Sequence, residues 1–120
     1  MMKKVLFLVL GVVLAGCSEK KPLTPEEQWH GYCTSIGNAA RSIMLDRQNA
    51  IEKNQAVEHA KKIEDEITRT FILKIIDEVY ALPIAQLQNN PDEARENIRK
   101  QTTEQCIATP HDKMPHYKPF

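Results

Sequence analysis

What is scarce in this chain of 120 residues narrows its chemistry early. It has four glycines, and only Gly31 and Gly37 lie beyond residue 17, so no glycine-rich loop could cradle a phosphate or a dinucleotide. No nucleotide cofactor is implied. It has no excess of either charge, with 16 basic side chains against 16 acidic ones, so it offers no electrostatic footprint for nucleic acid. Aromatic residues make up 6% of the chain, with a single tryptophan at Trp29. There is no sustained period-two alternation, which argues against a sheet. After residue 17 the longest apolar stretch is Phe71 to Ile76, interrupted by Lys74, and it is too short to span a bilayer. The length allows one small domain.

What is present begins with an unusual leader. Lys3 and Lys4 precede an apolar stretch from Val5 to Ala15, the pattern of a secretory signal. Eleven helical residues reach about 16 Å, roughly half a hydrocarbon core, so the segment is read as an export tag over residues 1–16. Leu14-Ala15-Gly16-Cys17 resembles the lipobox of bacterial lipoproteins. That resemblance implies cleavage before Cys17 and acylation of Cys17 on its sulfur and its new amino group. Several acyl chains anchor stably where one holds only marginally, at about 0.8 kcal/mol per buried methylene. Ser18 after the cysteine implies, by analogy with enteric lipoproteins, sorting to the outer membrane, with the domain facing the periplasm. The alternative is an ordinary secretory signal followed by an unrelated cysteine. Removing the leader leaves 14 basic against 16 acidic residues, a formal charge of −2.

With Cys17 assigned to lipid, Cys33 and Cys106 remain as an even pair in an exported chain. A disulfide is the expected state, with free thiols or a redox pair as alternatives. The spacing is unlike the C-x-x-C of redox sites. In the chain-entropy description such a loop contributes about 4 kcal/mol, a large share of a small domain's net stability.

The exported part divides into a polar tether over residues 17–24, a helical domain over 25–108, and a proline- and histidine-containing tail over 109–120. Thr24-Pro25-Glu26-Glu27 places a hydroxyl at the N-cap, proline at N1 and glutamate at N3. Trp29, Tyr32, Cys33, Ile36, Ala40, Ile43 and Met44 then form one stripe on a helix ending near Arg47-Gln48-Asn49. A second region from Asn54 to Leu82 carries Val57, Ala60, Ile63, Ile67, Phe71, Ile75, Val79 and Leu82, and Pro83 stops it. Asn90-Pro91-Asp92-Glu93 starts a last helix with Ala94, Ile98, Thr102 and Cys106 on its inner edge.

The expected fold is therefore all-α. In a three-helix up-down-up bundle Cys33 would stand about 12 Å above the base and Cys106 about 22 Å above it. A disulfide needs Cα atoms within about 7 Å. A break near Asp65 to Thr70 gives a small disulfide-stapled four-helix up-down bundle that returns Cys106 to Cys33. A slipped three-helix bundle is the alternative. Cys33 with Ile36-Gly37, Met44-x-x-Arg47-Gln48, Tyr80-x-x-Pro83 and Cys106 also resemble a group of small exported helical bacterial proteins without assigned function. The resemblance implies the helical fold and the Cys33–Cys106 pairing, and no catalytic residue. The chain departs from the group in having Asn49 where glycine usually follows the Arg-Gln pair, and in lacking an aromatic in the last helix.

The search for chemistry is brief. His30 and His59 lack a partner ligand at helical spacing and are read as surface residues. His111 and His116, with Asp112 and Met114, are the candidate metal ligands, set against the prolines at 110, 115 and 119 that keep the segment extended. The other readings are a loose tail, or one packed through Tyr117 and Phe120. Ser18, Ser35 and Ser42 lack a nucleophile elbow, and Glu64-Asp65-Glu66 point in different directions on a helix. Trp29 and Tyr32, and Tyr80, Leu82, Ile84 and Leu87 around Pro83, are core residues or, where exposed, an apolar patch. Arg47-Gln48 reads as helix-end chemistry. The sequence points to a non-catalytic lipid-anchored envelope protein acting through protein contact. A periplasmic metal- or small-ligand-binding module is the alternative.

Overall fold

The computed structural model describes residues 22–111. The leader and Cys17 lie outside the described residues, as do His116, Tyr117 and Phe120. Within them the chain is all-helical, with five helices and no strand: α1 (Pro25–Gln48), α2 (Lys53–Ala60), α3 (Glu66–Ala81), α4 (Ile84–Asn89) and α5 (Pro91–Ala108).

Helix starts follow the expected capping chemistry. The Thr24 hydroxyl accepts from the Glu27 amide at 3.1 Å, and the Thr24 amide donates to the Glu27 carboxylate at 3.0 Å. Two donors that the helix itself cannot satisfy are thereby satisfied reciprocally. The backbone bond holds the Glu27 carboxyl below the usual range. At α5 the Asn90 side chain accepts from the Glu93 amide at 3.3 Å, and its own amide donates to the Glu93 carboxylate at 2.8 Å.

The region 54–82 is two helices, and the break lies earlier than the sequence suggests. Helix α2 ends at Ala60, and Asp65 caps α3 by accepting from the Thr68 amide at 2.8 Å. Thr68 and Thr70, placed in the break by their β-branching, lie inside α3. The interruption resets the helical phase. The buried face of α3 is Thr68, Ile72, Ile75, Ile76 and Val79, whereas Ile67 and Phe71, on the stripe drawn through the whole region, are half-buried. The segment between Pro83 and Asn90 contains a short helix not expected from the sequence, α4, which buries Leu87.

Contacts along the helices fix their directions. Cys33 meets Cys106 near the start of α1, and Gln48 meets Pro91 at its end, so α5 runs antiparallel to α1. Tyr32 meets Thr68 and Arg47 meets Val79, so α3 runs parallel to α1. Between them α2 returns the chain. It is pinned at one end by Tyr80 Oη donating to the Ile51 carbonyl at 2.7 Å, and at the other by Arg69 donating to the Ile63 carbonyl at 2.9 Å. The expected α1 stripe is buried throughout, with Cys33, Ile36 and Ala40 fully inaccessible. Helix α1 packs most extensively on α5, then on α3, while α2 packs on α3.

Gly37 sets how closely α1 and α5 approach. A Cβ added there would lie 1.8 Å from Thr103 Oγ1 and 2.8 Å from the Arg99 carbonyl oxygen. Thr103 could rotate, but the carbonyl belongs to the α5 backbone and cannot move without the helix. At Gly31 an added Cβ meets nothing within 4 Å. Gly37→Ala should therefore destabilise the domain by about 2 kcal/mol through overpacking. Gly31→Ala should stabilise it by about 0.5–1 kcal/mol through helix propensity. Urea unfolding of the two variants checks both signs, and equal midpoints would contradict the close-approach explanation.

Candidate functional site

The structure gathers its polar and aromatic side chains at the two ends of α1. At the first end the Cys33–Cys106 disulfide joins α1 to α5 with Cα atoms 5.4 Å apart, and both residues are buried. Trp29 covers it. The indole is 2% exposed, and its Nε1 donates at 3.2 Å to the Cys106 carbonyl, which also accepts from the Thr109 amide at 3.0 Å where α5 ends. Tyr32 stacks beside Trp29 with ring centroids 5.3 Å apart, and Phe71 of α3 meets both rings. The outer face of Trp29 carries the imidazole of His111 at 3.9 Å between centroids, tilted by 11°.

Below the aromatic rings a short polar chain enters the core. Thr68 Oγ1 donates to the Asp65 carboxylate at 2.7 Å, which leaves the Tyr32 hydroxyl to donate to Thr68 Oγ1 at 2.8 Å. Burial pushes the Tyr32 phenol above its ordinary range, the hydrogen bond with Thr68 opposes this, and the Asp65 charge adds to it. The arrangement ties α1 to the capped start of α3.

The second end is organised by Arg47 and Gln48. The Arg47 guanidinium donates to the Val79 carbonyl near the end of α3 and lies over the Tyr80 ring, 5.6 Å from its centroid. Gln48 Nε2 donates to the Pro91 carbonyl at 3.1 Å, and its Oε1 accepts from Arg95 at 2.6 Å. Arg95 in turn pairs with Asp92. Arg47-Gln48 is thus a hub joining the end of α1 to the end of α3 and the start of α5. This extends the helix-end role read from the sequence, and neither tertiary carbonyl could have been named from spacing.

Helix α1 then ends in a Schellman turn, with Ile51 N donating to the Asp46 carbonyl at 2.9 Å and Ala50 N to the Arg47 carbonyl at 3.0 Å. Ala50 has φ 65°, the left-handed region that favours glycine. Around this turn the surface is cleft. A cavity of about 450 Å³ separates the end of α1 from α4, and another of about 400 Å³ lies between α4 and α5 over Met44, Leu82 and Ile98. A third, of about 380 Å³, separates α1 from α2 over Ile72 and Ile76 of α3. Leu82 is half-buried, Leu87 is buried, and Ile84 is 61% exposed.

The remaining sequence candidates stay apart. His30 and His59 are exposed on different helices. His111 packs on Trp29, its proposed partner ligand His116 lies outside the described residues, and no three of His, Cys, Asp and Glu converge among the described residues. Comparison of the chain with protein-family models, with curated proteins and with solved structures finds no match.

Two expected outcomes follow from the two ends. Because the folded-state pKa of Tyr32 is raised, the unfolded chain ionises first at alkaline pH. The contribution is intact below about pH 10, the unfolded value, and is lost as pH rises toward the folded one. Denaturant midpoints measured from pH 8.5 to pH 11 should fall, and less steeply in Tyr32→Phe; identical slopes would contradict burial as the cause. At the other end, Ala50→Gly should raise stability by about 1 kcal/mol by relieving the left-handed backbone. A lower melting temperature for this variant would contradict that reading.

Proposed function

We propose that this chain is a lipid-anchored protein of the bacterial cell envelope, tethered through Cys17, that works without catalysis by contact with another envelope protein in the periplasm. The observation that carries the reading is the Cys33–Cys106 disulfide, buried under Trp29. Disulfides persist in oxidising compartments, and the basic, apolar, Leu14-Ala15-Gly16-Cys17 leader supplies a route to one. Among the described residues no helix is long and apolar enough to cross a membrane, so the membrane attachment in this reading falls to acyl chains on Cys17. The outer membrane is the favoured destination, from Ser18.

The architecture supports contact over catalysis. The polar side chains that converge, Tyr32 with Thr68 and Asp65, and Arg47 with Gln48 and Arg95, direct their hydrogen bonds to holding helix ends together. In this reading α1, α2, α3 and α5 are the four members of an up-down-up-down bundle and α4 is an insertion. Eight residues from Cys17 to Thr24 extend at most about 28 Å, which keeps the disulfide end near the membrane. The Arg47 end then stands about 36 Å farther out, the length of α1.

Fractionation of cells expressing the full chain should place it in the membrane fraction and label it with a clickable palmitate analogue. Cys17→Ser should lose the label and appear in the soluble or uncleaved precursor pool. Label incorporation unaffected by Cys17→Ser would overturn the anchor assignment.

A further inference from the structure

Helix α2 is held to the domain differently from α1, α3 and α5. Of its eight residues only Ala60 is buried, with Ala56 and Val57 half-buried, and the helix packs on α3. Between α2 and α1 lies the groove of about 380 Å³ floored by Ile72 and Ile76, so α1 gives it little lateral support. Its own ends add little. The starts of α1, α3 and α5 are each capped by a side chain, whereas Glu52 makes no side-chain capping bond and Lys53 places a cation at the positive end of the α2 dipole. Two turns of helix without such support are unstable alone.

Directed bonds from α3 keep α2 in place. Tyr80 Oη donates to the Ile51 carbonyl before the helix, Lys53 pairs with Asp77 at 2.9 Å in its first turn, and Arg69 donates to the Ile63 carbonyl after it. Both hydrogen bonds fall on carbonyls outside the helix, so α2 is strapped across α3 by its two connecting segments. The Lys53–Asp77 pair is 48% and 71% exposed and contributes weakly. The seam between α1 and α5, its disulfide, and the contact of α1 with α3 do not pass through α2. Segments with few buried apolar contacts are the ones that open while the rest of a native protein stays folded.

We propose that α2 and the segments flanking it form a strap that opens as a unit while α1, α3 and α5 stay folded, uncovering an aliphatic face of Ile43, Ile72 and Ile76 between α1 and α3. The open state keeps the disulfide and the Gly37 seam. It gives up the burial of Ala60 and the three bonds from α3. The opening does not depend on Cys17 or on what the domain contacts.

Native-state hydrogen exchange of the full chain in detergent micelles tests this, under conditions where reclosing outruns exchange. The amides of residues 57–61 should exchange about thirty-fold faster or more than those of Met44 and Val79 in the core. Their exchange should also rise less steeply with added urea, since a partial opening exposes less surface than unfolding does. Gly37→Ala, which acts on the seam, should speed exchange at Met44 and Val79 about thirty-fold and leave residues 57–61 unchanged, because the seam is intact on both sides of the α2 opening. Tyr80→Phe removes a bond that the open and the unfolded states have both lost, and should speed both sets about five-fold. Equal acceleration of both sets by Gly37→Ala would overturn the strap, since α2 would then open only with the whole domain. So would unchanged exchange at residues 57–61 in Tyr80→Phe. If Gly37→Ala does not fold, the urea slopes of the unaltered chain decide: one slope for both sets overturns the strap, and a shallower slope at residues 57–61 sustains it.

Discussion

Because Gly37 has no Cβ, the backbones of α1 and α5 can approach until Thr103 and the Arg99 carbonyl occupy the space a methyl group would need. That contact lies one turn along α1 from Cys33, and the disulfide closes the same seam at its other side. The seam fixes the register of the two longest helices. Everything else is arranged around it: α3 packs on the face of α1 that α5 leaves open, and α2 packs on α3. Shifting α5 along α1 by one turn would put a larger side chain against Gly37 and separate the sulfurs by more than a disulfide tolerates. Steric and covalent constraints therefore select the same register, which is how a small core can specify one arrangement.

The ends of the domain are held differently from its middle. In the middle, burial of Ile36, Ala40, Ile76 and Val79 supplies non-directional attraction. At the ends side chains supply directed bonds to backbone groups, and the Cys106 and Val79 carbonyls each accept one in addition to that from the Thr109 or Leu82 amide. Trp29 serves the last turn of α5, Asp65 the first turn of α3, and Arg47 the last turn of α3. Each partner comes from a different helix or from a cap. A bond that satisfies a backbone group also sets the angle at which two helices meet.

Much of this was legible in the sequence, and the rest failed for identifiable reasons. The Thr24 and Asn90 caps, the α1 stripe and the Ile98–Thr102–Cys106 edge depend on local spacing, and the structure has them as read. The pairing of Cys33 with Cys106 followed from setting Cys17 aside as the expected lipid site, which leaves two cysteines as an even pair. The stripe drawn through the second region holds at Ala60, Ile75 and Val79 but is off at Ile67 and Phe71 in the first turns of α3, because the interruption after Ala60 contains neither glycine nor proline to mark it. Helix α4 was missed because six residues between Pro83 and Asn90 are too few to show a period. The cleft at the second end was not legible at all. Its walls come from the end of α1, from α4 and from Pro91, and the left-handed backbone of Ala50 leaves no mark in a residue type that usually signals helix.

That left-handed alanine shows how the two ends divide the work of the fold. A residue with a Cβ at this position costs about 1–2 kcal/mol, an appreciable part of a small domain's net stability. The turn tolerates it because its neighbours are over-determined. Arg47 is bonded to α3, Gln48 to α5, Ile51 receives the Tyr80 hydroxyl, and the Schellman bonds close the backbone on itself. No comparable strain appears at the disulfide end, since Ala50 alone among the described residues has positive φ. The buried core runs from Trp29 and Cys106 at one end to Met44 and Leu87 at the other, and the one left-handed non-glycine among the described residues sits at the second end. The left-handed residue is the one that closes the Schellman turn, so the strain is what ending α1 at this point costs a sequence without glycine there.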